Sequence, residues 1–303
     1  MAEKEIMQSD HARVANEPRA PRVLTVVGSA GVDPWLAIEE EAQRPIIEGF
    51  GANYGETIWF RGNPNVSGQR RFEFLNRLIT CQIKFLYRPS RGLRSVFHKV
   101  WQTGRWNALG HHSLRRILRK NYTRVEDQLH STIIESRLPV QAGLAGMRTI
   151  DLFNFALRNY EFDYLLRITS TCLPVPSQVE KLVASLPRER VFGGQFGDFF
   201  GQRFISGAAV LLSRDVVHGV VENSRGFLFN AYEDVALSKL IEKKNLGDWY
   251  DIPYTCVRSP EDVQREFSST PPQTLVVRCT AELPITTISE PVVKVMLAVS
   301  KHL

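Results

Sequence analysis

The sequence predicts an α/β protein with a mixed central sheet that is flanked by helices. Two continuous apolar runs, Arg22–Ser29 (RVLTVVGS) and Phe162–Thr169 (FDYLLRIT), are typical of strands that are buried on both faces. Segments with the apolar spacing of amphipathic helices alternate with such strands, which is the pattern of an α/β sheet. Of the 303 residues, 43% are apolar and 23% are charged. This composition is globular, and it excludes collagen-like and disordered classes.

The chain shows no sequence feature of a membrane-spanning or disulfide-stabilised protein. Its apolar runs are far shorter than the roughly 18 residues that a transmembrane helix needs, and its polar N-terminal segment lacks the apolar core of a signal peptide. The four cysteines are far apart and form no CxxC pair, so neither a zinc site nor a disulfide framework is indicated. We therefore expect a cytoplasmic protein in which residues 1–20 are a disordered tail and 21–303 form one domain.

The first part of this domain is predicted to contain two strands and two helices. Arg22–Ser29 is a strand, and Pro34–Gly49 is a helix that a glycine closes. Glu56–Phe60 (ETIWF) is a second short strand, and turn residues follow it. Residues 66–124 are predicted to be an inserted basic segment, within which Phe72–Leu86 has helical spacing.

The positive charge is concentrated in and next to this insertion. Residues 61–124 contain 15 Lys and Arg but one acidic residue, a net charge of +14, whereas the rest of the chain carries −8. A negatively charged partner would suit this concentration of positive charge: nucleic acid, an anionic membrane face or a phosphorylated substrate. A solvated basic surface would give the same charge pattern. Phe97, Trp101 and Trp106 alternate with the bases, and such aromatic side chains lie at the headgroup level of bilayers. We therefore expect peripheral docking on an anionic membrane, with nucleic acid less favoured.

Strands and helices continue to alternate after the insertion. The helices begin at capping signals: Ser177-x-x-Glu180 is a capping box, Ser213 is a good N-cap, and Asn230 precedes a helix that Gly247 closes. The predicted strands are Gln128–Ile134, Phe162–Thr169, Val191–Phe196, Phe204–Leu212, Trp249–Val257 and Thr274–Cys279. The predicted helices are Leu144–Leu157, the helix after Ser177 that ends before Pro187, Asp215–Glu222, 233–245 and Pro291–His302.

Several common nucleotide-binding and hydrolase motifs are absent from the sequence. No GxGxxG follows the first strand, and there is no Walker A loop with its lysine. There is also no GxSxG nucleophile elbow. The sequence thus gives no support to a Rossmann dehydrogenase, a P-loop NTPase or an α/β-hydrolase.

Three segments in a fixed order match the pattern of a known enzyme group. Arg148-Thr149 lies on a predicted helix, Ser206–Ser213 (SGAAVLLS) is a strand with a serine at each end, and Glu233-Asp234-Val235 opens a later helix. In this order the segments resemble the β-1,3-galactosyltransferase-like group of GT-A glycosyltransferases, which has bacterial and viral members. The resemblance covers roughly residues 22–62 and 125–257.

This resemblance implies a GT-A-like fold and the transfer of a hexose-type sugar from a nucleotide-sugar donor to a saccharide hydroxyl, in surface-polysaccharide or glycolipid synthesis. The acceptor would be a saccharide or a lipid-linked saccharide. Asp234 would be the general base that takes the proton of the acceptor hydroxyl, with Glu233 beside it as the second catalytic residue. The acceptor-binding residues would be Ser206, Gly207 and Tyr232. The donor-binding residues would be Gly28, Ser29, Arg44, Arg148, Arg167, Thr169, Ser170, Thr171 and Arg278.

The chain departs from this group at the acidic run that binds a metal ion. The aspartates that hold Mn²⁺ or Mg²⁺ in the group would fall where this chain has Thr-Ser-Thr, at 169–171. Because hydroxyls are poor metal ligands, we predict no metal-binding residues, with a divalent metal kept as the alternative cofactor. Arginine could neutralise the donor's diphosphate instead, and the candidates are Arg148, Arg167 and Arg278.

Two other functions remain open at this point. The hydroxyl run would also suit a non-catalytic nucleotide-sugar or glycan-binding relative, and the basic segment would suit a nucleic-acid-binding protein. The candidate residues have structural alternatives as well. Glu233 can stabilise the first turn of a helix, and Gly207 can form a bulge in a core strand. Asp163 is predicted to be a structural acid with a partner.

Overall fold

The computed structural model of the protein describes residues 19–29, 35–48, 55–62, 122–128, 131–136, 145–199, 201–228, 231–267, 274–280 and 290–302. The predicted tail, except for its last two residues, lies outside these segments. So do Asn230, the predicted helix at 72–86 and nearly all of the basic insertion.

The described segments contain strands that are interspersed with helices, and several strands follow one another directly. The strands are β1 (Val23–Ser29), β2 (Thr57–Gly62), β3 (Tyr122–Gln128), β4 (Ser131–Ser136), β5 (Tyr164–Thr169), β6 (Cys172–Pro174), β7 (Val191–Gly194), β8 (Phe196–Phe199), β9 (Gln202–Ile205), β10 (Ala209–Ser213), β11 (Asp248–Asp251), β12 (Thr255–Val257) and β13 (Val276–Cys279). The helices are α1 (Trp35–Ile38), a π-helix (Glu39–Gln43), α2 (Arg44–Glu48), α3 (Ala145–Asn159), α4 (Pro176–Ser185), α5 (Arg214–Glu222), α6 (Glu233–Lys244), α7 (Pro260–Phe267) and α8 (Glu290–Ser300).

The central sheet is mixed and has the strand order β11-β7-β10-β5-β1-β2-β4-β3. β1 pairs in parallel with β2 and with β5, whereas β10 runs antiparallel to β5 and to β7. The two apolar runs singled out in the sequence are therefore neighbours, with Val23 beside Tyr164 and Gly28 beside Thr169. This arrangement confirms the predicted α/β class with a mixed central sheet flanked by helices.

Both faces of the sheet are buried. Tyr164 and Leu166 of β5 belong to a hydrophobic cluster that includes residues of α4 and α8. Leu165, which lies between them in the chain, belongs to the opposite cluster with residues of α3 and α5. Successive side chains of a strand point to opposite faces, so burial on both sides explains why this segment is an unbroken apolar run. Arg167 interrupts this apolar run, and its guanidinium donates a hydrogen bond to the Glu233 carboxylate at 2.7 Å.

Several predicted strands are interrupted. The segment at 128–134 belongs to two antiparallel strands, β3 and β4. The predicted strands at 191–196, 204–212 and 249–257 are also divided, as β7 and β8, β9 and β10, and β11 and β12. Gly207 and Ala208 form the turn between β9 and β10, and Ala208 is buried there. Apolar content therefore continues through the turn, and this is why the sequence pattern does not reveal it.

Two helix ends also differ from the prediction. Helix α4 begins at Pro176, and Val175 is its N-cap, with no side-chain cap; the predicted capping box at Ser177 does not form. Proline suits the first helical position because its fixed φ matches the helix and its missing N–H would have no partner there. Helix α6 ends at Lys244, and its C-cap residue is Asn245, which has φ 50° in the left-handed region, and not Gly247. Asparagine is one of the few residues that adopt this conformation at a helix end.

Of two polar residues with predicted structural roles, Asp163 has its role, whereas Ser213 has only the predicted position. Ser213 is the N-cap residue of α5, but its hydroxyl makes no capping hydrogen bond; it accepts a hydrogen bond from the Val191 amide at 2.8 Å and donates one to Asp215 Oδ1 at 2.5 Å. Asp163 accepts a hydrogen bond from the Arg22 amide at 2.8 Å and pairs with Arg188 at 2.8 Å. Asp163 therefore connects the amino ends of β1 and β5.

Replacement of Gly55 by alanine is expected to lower the free energy of unfolding by about 3 kcal/mol. Gly55 has φ 110°, and a Cβ atom on it would collide with the carbonyl group of Val23. Gly201 is a matched control because it also has a positive φ, 77°, but a Cβ atom there would meet nothing within 4 Å. Gly201→Ala should cost only about 1 kcal/mol. Urea unfolding of the three proteins checks this, and equal losses for the two variants would contradict the steric argument.

Candidate functional site

The candidate site lies at the carboxyl ends of β1 and β5. In the sheet, β1 lies between β2 and β5. The chain passes from β1 to β2 on one side and later returns to form β5 on the other side, so the strand order reverses between β1 and β5. In open α/β sheets such a reversal opens a crevice at the carboxyl ends of the strands, and ligands bind there. Gly28 and Thr169 are paired at this edge, and Ser29 is the last residue of β1. Three of the predicted donor-binding residues are therefore side by side.

The turn after β5 presents hydroxyl groups at this edge. Thr169 and Thr171 have their hydroxyl oxygens 3.3 Å apart, with Ser170 between them in the chain. The buried side chain of Gln43 holds the turn, because its Nε2 atom donates hydrogen bonds to the carbonyl oxygens of Thr169 at 3.3 Å and Cys172 at 2.9 Å. The turn is thus a braced structure, and Gln43 is a positioning residue that the sequence did not indicate.

The π-helix also braces the end of β2. The fully buried Glu39 carboxylate pairs with Arg61, which is beside Ser29 in the sheet, at 2.6 Å and with Arg44 at 3.3 Å. The Arg44 guanidinium also lies over the Trp59 ring, 5.2 Å from its centre. Arg44, which was predicted to bind donor, therefore belongs to an ion-pair network behind this edge. π-Helices are rare and frequently occur at functional sites, but the apolar spacing of 34–49 gives no sign of one.

Glu233 is fixed at the start of α6 by two partners. Arg167 donates hydrogen bonds to both of its carboxylate oxygens, one of them from Nη2 to Oε2 at 2.7 Å. Thr149 of α3 donates a hydrogen bond to Oε1 at 2.6 Å. The Arg167 and Glu233 side chains are only 12% and 11% exposed. The structure therefore pairs Arg167, which was predicted to bind diphosphate, with one of the two predicted catalytic acids.

Asp234 lies against the turn between β9 and β10. Its Oδ2 atom accepts a hydrogen bond from the Gly207 amide at 3.2 Å, and its Oδ1 atom accepts one from the Val235 amide at 2.9 Å. A Cβ atom on residue 207 would be 3.3 Å from the Asp234 Cβ, so glycine permits this close approach. Burial is the main cause that raises the pKa of Asp234 above its ordinary value, and the adjacent Glu233 carboxylate is the second cause. A carboxyl with a raised pKa at a sheet edge is suited to accept a proton.

The raised pKa of Asp234 predicts a specific pH dependence of stability. The folded protein binds a proton to Asp234 at a higher pH than the unfolded chain does, so the stabilising contribution of this group is full below the unfolded pKa. It is lost as the pH rises through the folded pKa. Relative to an Asp234→Asn variant, the wild type should therefore lose free energy of unfolding between acid and neutral pH. Urea unfolding of both proteins across this range measures the difference, and a difference that is constant with pH would contradict a raised pKa.

Ser206, Tyr254 and Arg278 form a chain of polar contacts beside this turn. The Ser206 hydroxyl and the Tyr254 hydroxyl are 3.4 Å apart. Arg278 donates a hydrogen bond from Nη1 to the Tyr254 oxygen at 2.7 Å. Arg278 of β13 is paired with Cys172 of β6, which follows the turn after β5. These polar contacts therefore connect the turn between β9 and β10 with the turn after β5. Tyr254 was not predicted, because it lies in the interruption of a segment predicted as one strand.

One member of an aromatic pair lies next to the two acidic residues in the chain. Tyr232, the residue before the two acids, is 45% exposed, and its ring makes an edge-to-face contact with Phe199 at 5.6 Å. Phe199 is in the hairpin of β8 and β9, which the sequence did not predict. Arg148, the remaining predicted donor-binding residue, lies over the Phe60 ring at 5.0 Å, next to Thr149, which contacts Glu233.

The described residues at this site do not fit a divalent metal ion. The position of the expected acidic run holds the hydroxyls of 169–171, and both nearby carboxylates are engaged, Glu233 by Arg167 and Asp234 by two backbone amides. Within the described segments, no group of three or more His, Cys, Asp or Glu side chains could hold a metal.

None of the helices in the described part of the chain is long and apolar enough to cross a bilayer. No protein-family model matches the chain, and no curated protein has a detectably similar sequence.

Proposed function

We propose that the protein is a glycosyltransferase with a GT-A-like fold that transfers a hexose-type sugar from a nucleotide-sugar donor to a saccharide hydroxyl. The observation that carries this proposal is the contact of Asp234 with the Gly207 amide at the carboxyl edge of β5. Two segments that are 27 residues apart in the sequence, and that the resemblance assigns to acceptor binding and proton abstraction, meet there. The raised pKa of Asp234 supports its role as the base.

The donor binds in the crevice between the ends of β1 and β5. Gly28 and Ser29 offer backbone groups on one side, and the hydroxyls of 169–171 offer hydrogen bonds on the other. A phosphate group is well matched to several such donors. The mixed sheet with its reversal between β1 and β5 supports this placement.

In the reaction, Asp234 takes the proton of the acceptor hydroxyl while the hydroxyl oxygen attacks the anomeric carbon of the donor sugar. The bond between that carbon and the phosphate oxygen breaks, and its electron pair leaves with the nucleoside diphosphate. Glu233, which is held by Arg167 and Thr149, is a positioning residue that fixes the start of α6 and thereby the Asp234 carboxylate. A proton acceptor placed in this way typically accelerates a reaction by about 10²- to 10⁴-fold.

The acceptor saccharide lies beside Asp234, between the Ser206-Gly207 turn and the aromatic pair. Tyr232 and Phe199 present apolar ring surface, on which the apolar face of a sugar ring can pack. A lipid-linked acceptor at the cytoplasmic face of a membrane would agree with the predicted docking of the basic insertion, most of which lies outside the described residues.

A panel of nucleotide sugars tests this function with the full-length chain. We expect at least one UDP-, GDP- or dTDP-hexose to raise the thermal midpoint and to release nucleoside diphosphate, faster when a saccharide acceptor is present. Binding without release would instead favour the non-catalytic relative. If no nucleotide sugar binds, but RNA or DNA binds with a steep salt dependence, the proposal is wrong and a nucleic-acid-binding protein is favoured.

A further inference from the structure

Arg278 has a positive charge that no described acidic residue compensates. It is half-buried, and its nearest hydrogen-bond partner is the neutral hydroxyl of Tyr254, at 2.7 Å from Nη1. Its Nε atom is buried and has no hydrogen-bond partner among the described residues. A buried donor or charge without a partner costs free energy, and such groups are therefore usually paired. An arginine with no carboxylate partner among the described residues, and with an unsatisfied Nε, is suited to bind an anionic ligand.

The residues next to Arg278 on the neighbouring strands are cysteines. Cys172 and Cys256 flank it on the two neighbouring strands, β6 and β12. Burial raises the pKa of the Cys172 thiol, so this group remains protonated at neutral pH. The described three-stranded sheet therefore contains one arginine and no acidic residue in its strands.

Two other arginines that were predicted to bind the donor are compensated. Arg167 pairs with Glu233, and Arg44 pairs with Glu39. A cation whose charge is already matched by a buried carboxylate has less attraction for an added anion. Among Arg44, Arg167 and Arg278, Arg278 is the one that has no described carboxylate partner.

Arg278 is also in the right place. Its backbone neighbour on β6 is Cys172, which directly follows the hydroxyl turn, and the amide of the next residue, Cys279, donates a hydrogen bond to the Thr171 carbonyl at 2.8 Å. Through Tyr254 it contacts Ser206, which begins the turn that holds Asp234. The backbone of Arg278 thus lies next to the hydroxyl turn, and its guanidinium is linked through Tyr254 to the Ser206-Gly207 turn.

We propose that Arg278, together with the hydroxyls of Thr169, Thr171 and Ser206, forms a metal-independent binding site for a diphosphate group. The inference rests on the proposed function in one respect, because it makes this diphosphate the leaving group of the donor. When the bond to the anomeric carbon breaks, negative charge develops on the phosphate oxygen, and the guanidinium stabilises it in place of a divalent cation. Tyr254 is a positioning residue that directs Nη1 and links diphosphate binding to the acceptor-side turn.

Calorimetric titration with inorganic pyrophosphate in the presence of EDTA tests the site without any sugar. The wild-type chain should bind pyrophosphate, and Arg278→Gln should weaken binding at least tenfold. Arg278→Lys should weaken it several-fold, because lysine keeps the charge but lacks the planar fork of donors. Arg190→Gln is the control, since Arg190 pairs with Asp248 at the opposite edge of the sheet, and it should bind as the wild type does.

The outcomes separate this inference from the proposed function. Absence of wild-type binding in EDTA, binding that requires added Mn²⁺ or Mg²⁺, or wild-type affinity in Arg278→Gln would each overturn the diphosphate site. If Arg278→Gln does not fold, Arg278→Lys decides: weaker binding supports the site, and unchanged affinity contradicts it. Pyrophosphate binding that depends on Arg278, without turnover of any nucleotide sugar, would leave the site established and the glycosyltransferase assignment wrong.

Discussion

Asp234→Asn is expected to lower the rate of sugar transfer by about 10²- to 10⁴-fold while the thermal midpoint changes little. The amide oxygen of asparagine can still accept a hydrogen bond from the Gly207 or the Val235 amide, so the start of α6 keeps a contact. The amide cannot take the proton of the acceptor hydroxyl. The measurement is the release of nucleoside diphosphate with donor and acceptor at saturation, together with the thermal midpoint of each protein.

The same experiment needs an acidic control on the same helix. Glu242 lies exposed near the end of α6, where it contacts Gln202, and Glu242→Gln should keep wild-type activity. The activity of the wild type should also fall as the pH is lowered through the raised pKa of Asp234, because the protonated carboxyl is no longer a base. If Asp234→Asn retains most of the activity, the acidic segment is structural and the base must be another residue.

The sequence predicted the strands that build the site more reliably than the side-chain contacts within it. Arg22–Ser29 and Phe162–Thr169 are recognisable because burial on both faces requires apolar residues at every position, and this requirement is local. The pairing of Arg167 with Glu233 joins residues that are 66 positions apart. Nothing in the residues around either one indicates this partner, so Arg167 was assigned to the donor from the family resemblance.

Local irregularities were also invisible in the sequence. The π-helix that carries Glu39 and Gln43 has one extra residue per turn, and its apolar positions still fit a helical pattern within the scatter of a short segment. The hairpin of β8 and β9, which brings Phe199 to Tyr232, consists of short strands with partly exposed residues, so no alternating pattern marks it. The site thus depends on features whose cause is tertiary packing.

Replacement of either partner of the Arg167–Glu233 pair, by Arg167→Met or by Glu233→Leu, is expected to lower the free energy of unfolding by about 3 kcal/mol. Each replacement leaves one charge in a nearly buried position, since the two side chains are only 12% and 11% exposed. The double variant should lose less than the sum of the single losses, because it leaves no unpaired charge and apolar side chains can fill the space. Denaturant unfolding of the four proteins gives the coupling energy.

The exposed pair of Arg190 and Asp248 provides a matched comparison. It has a similar contact distance, 3.0 Å, but its side chains are 44% and 60% exposed. Its coupling energy in the same cycle should be below about 1 kcal/mol, because water screens both charges and holds them when the partner is removed. A coupling for Arg167 and Glu233 that is no larger than this would mean that the pair does not fix the start of α6, and the positioning role assigned to Glu233 would be wrong.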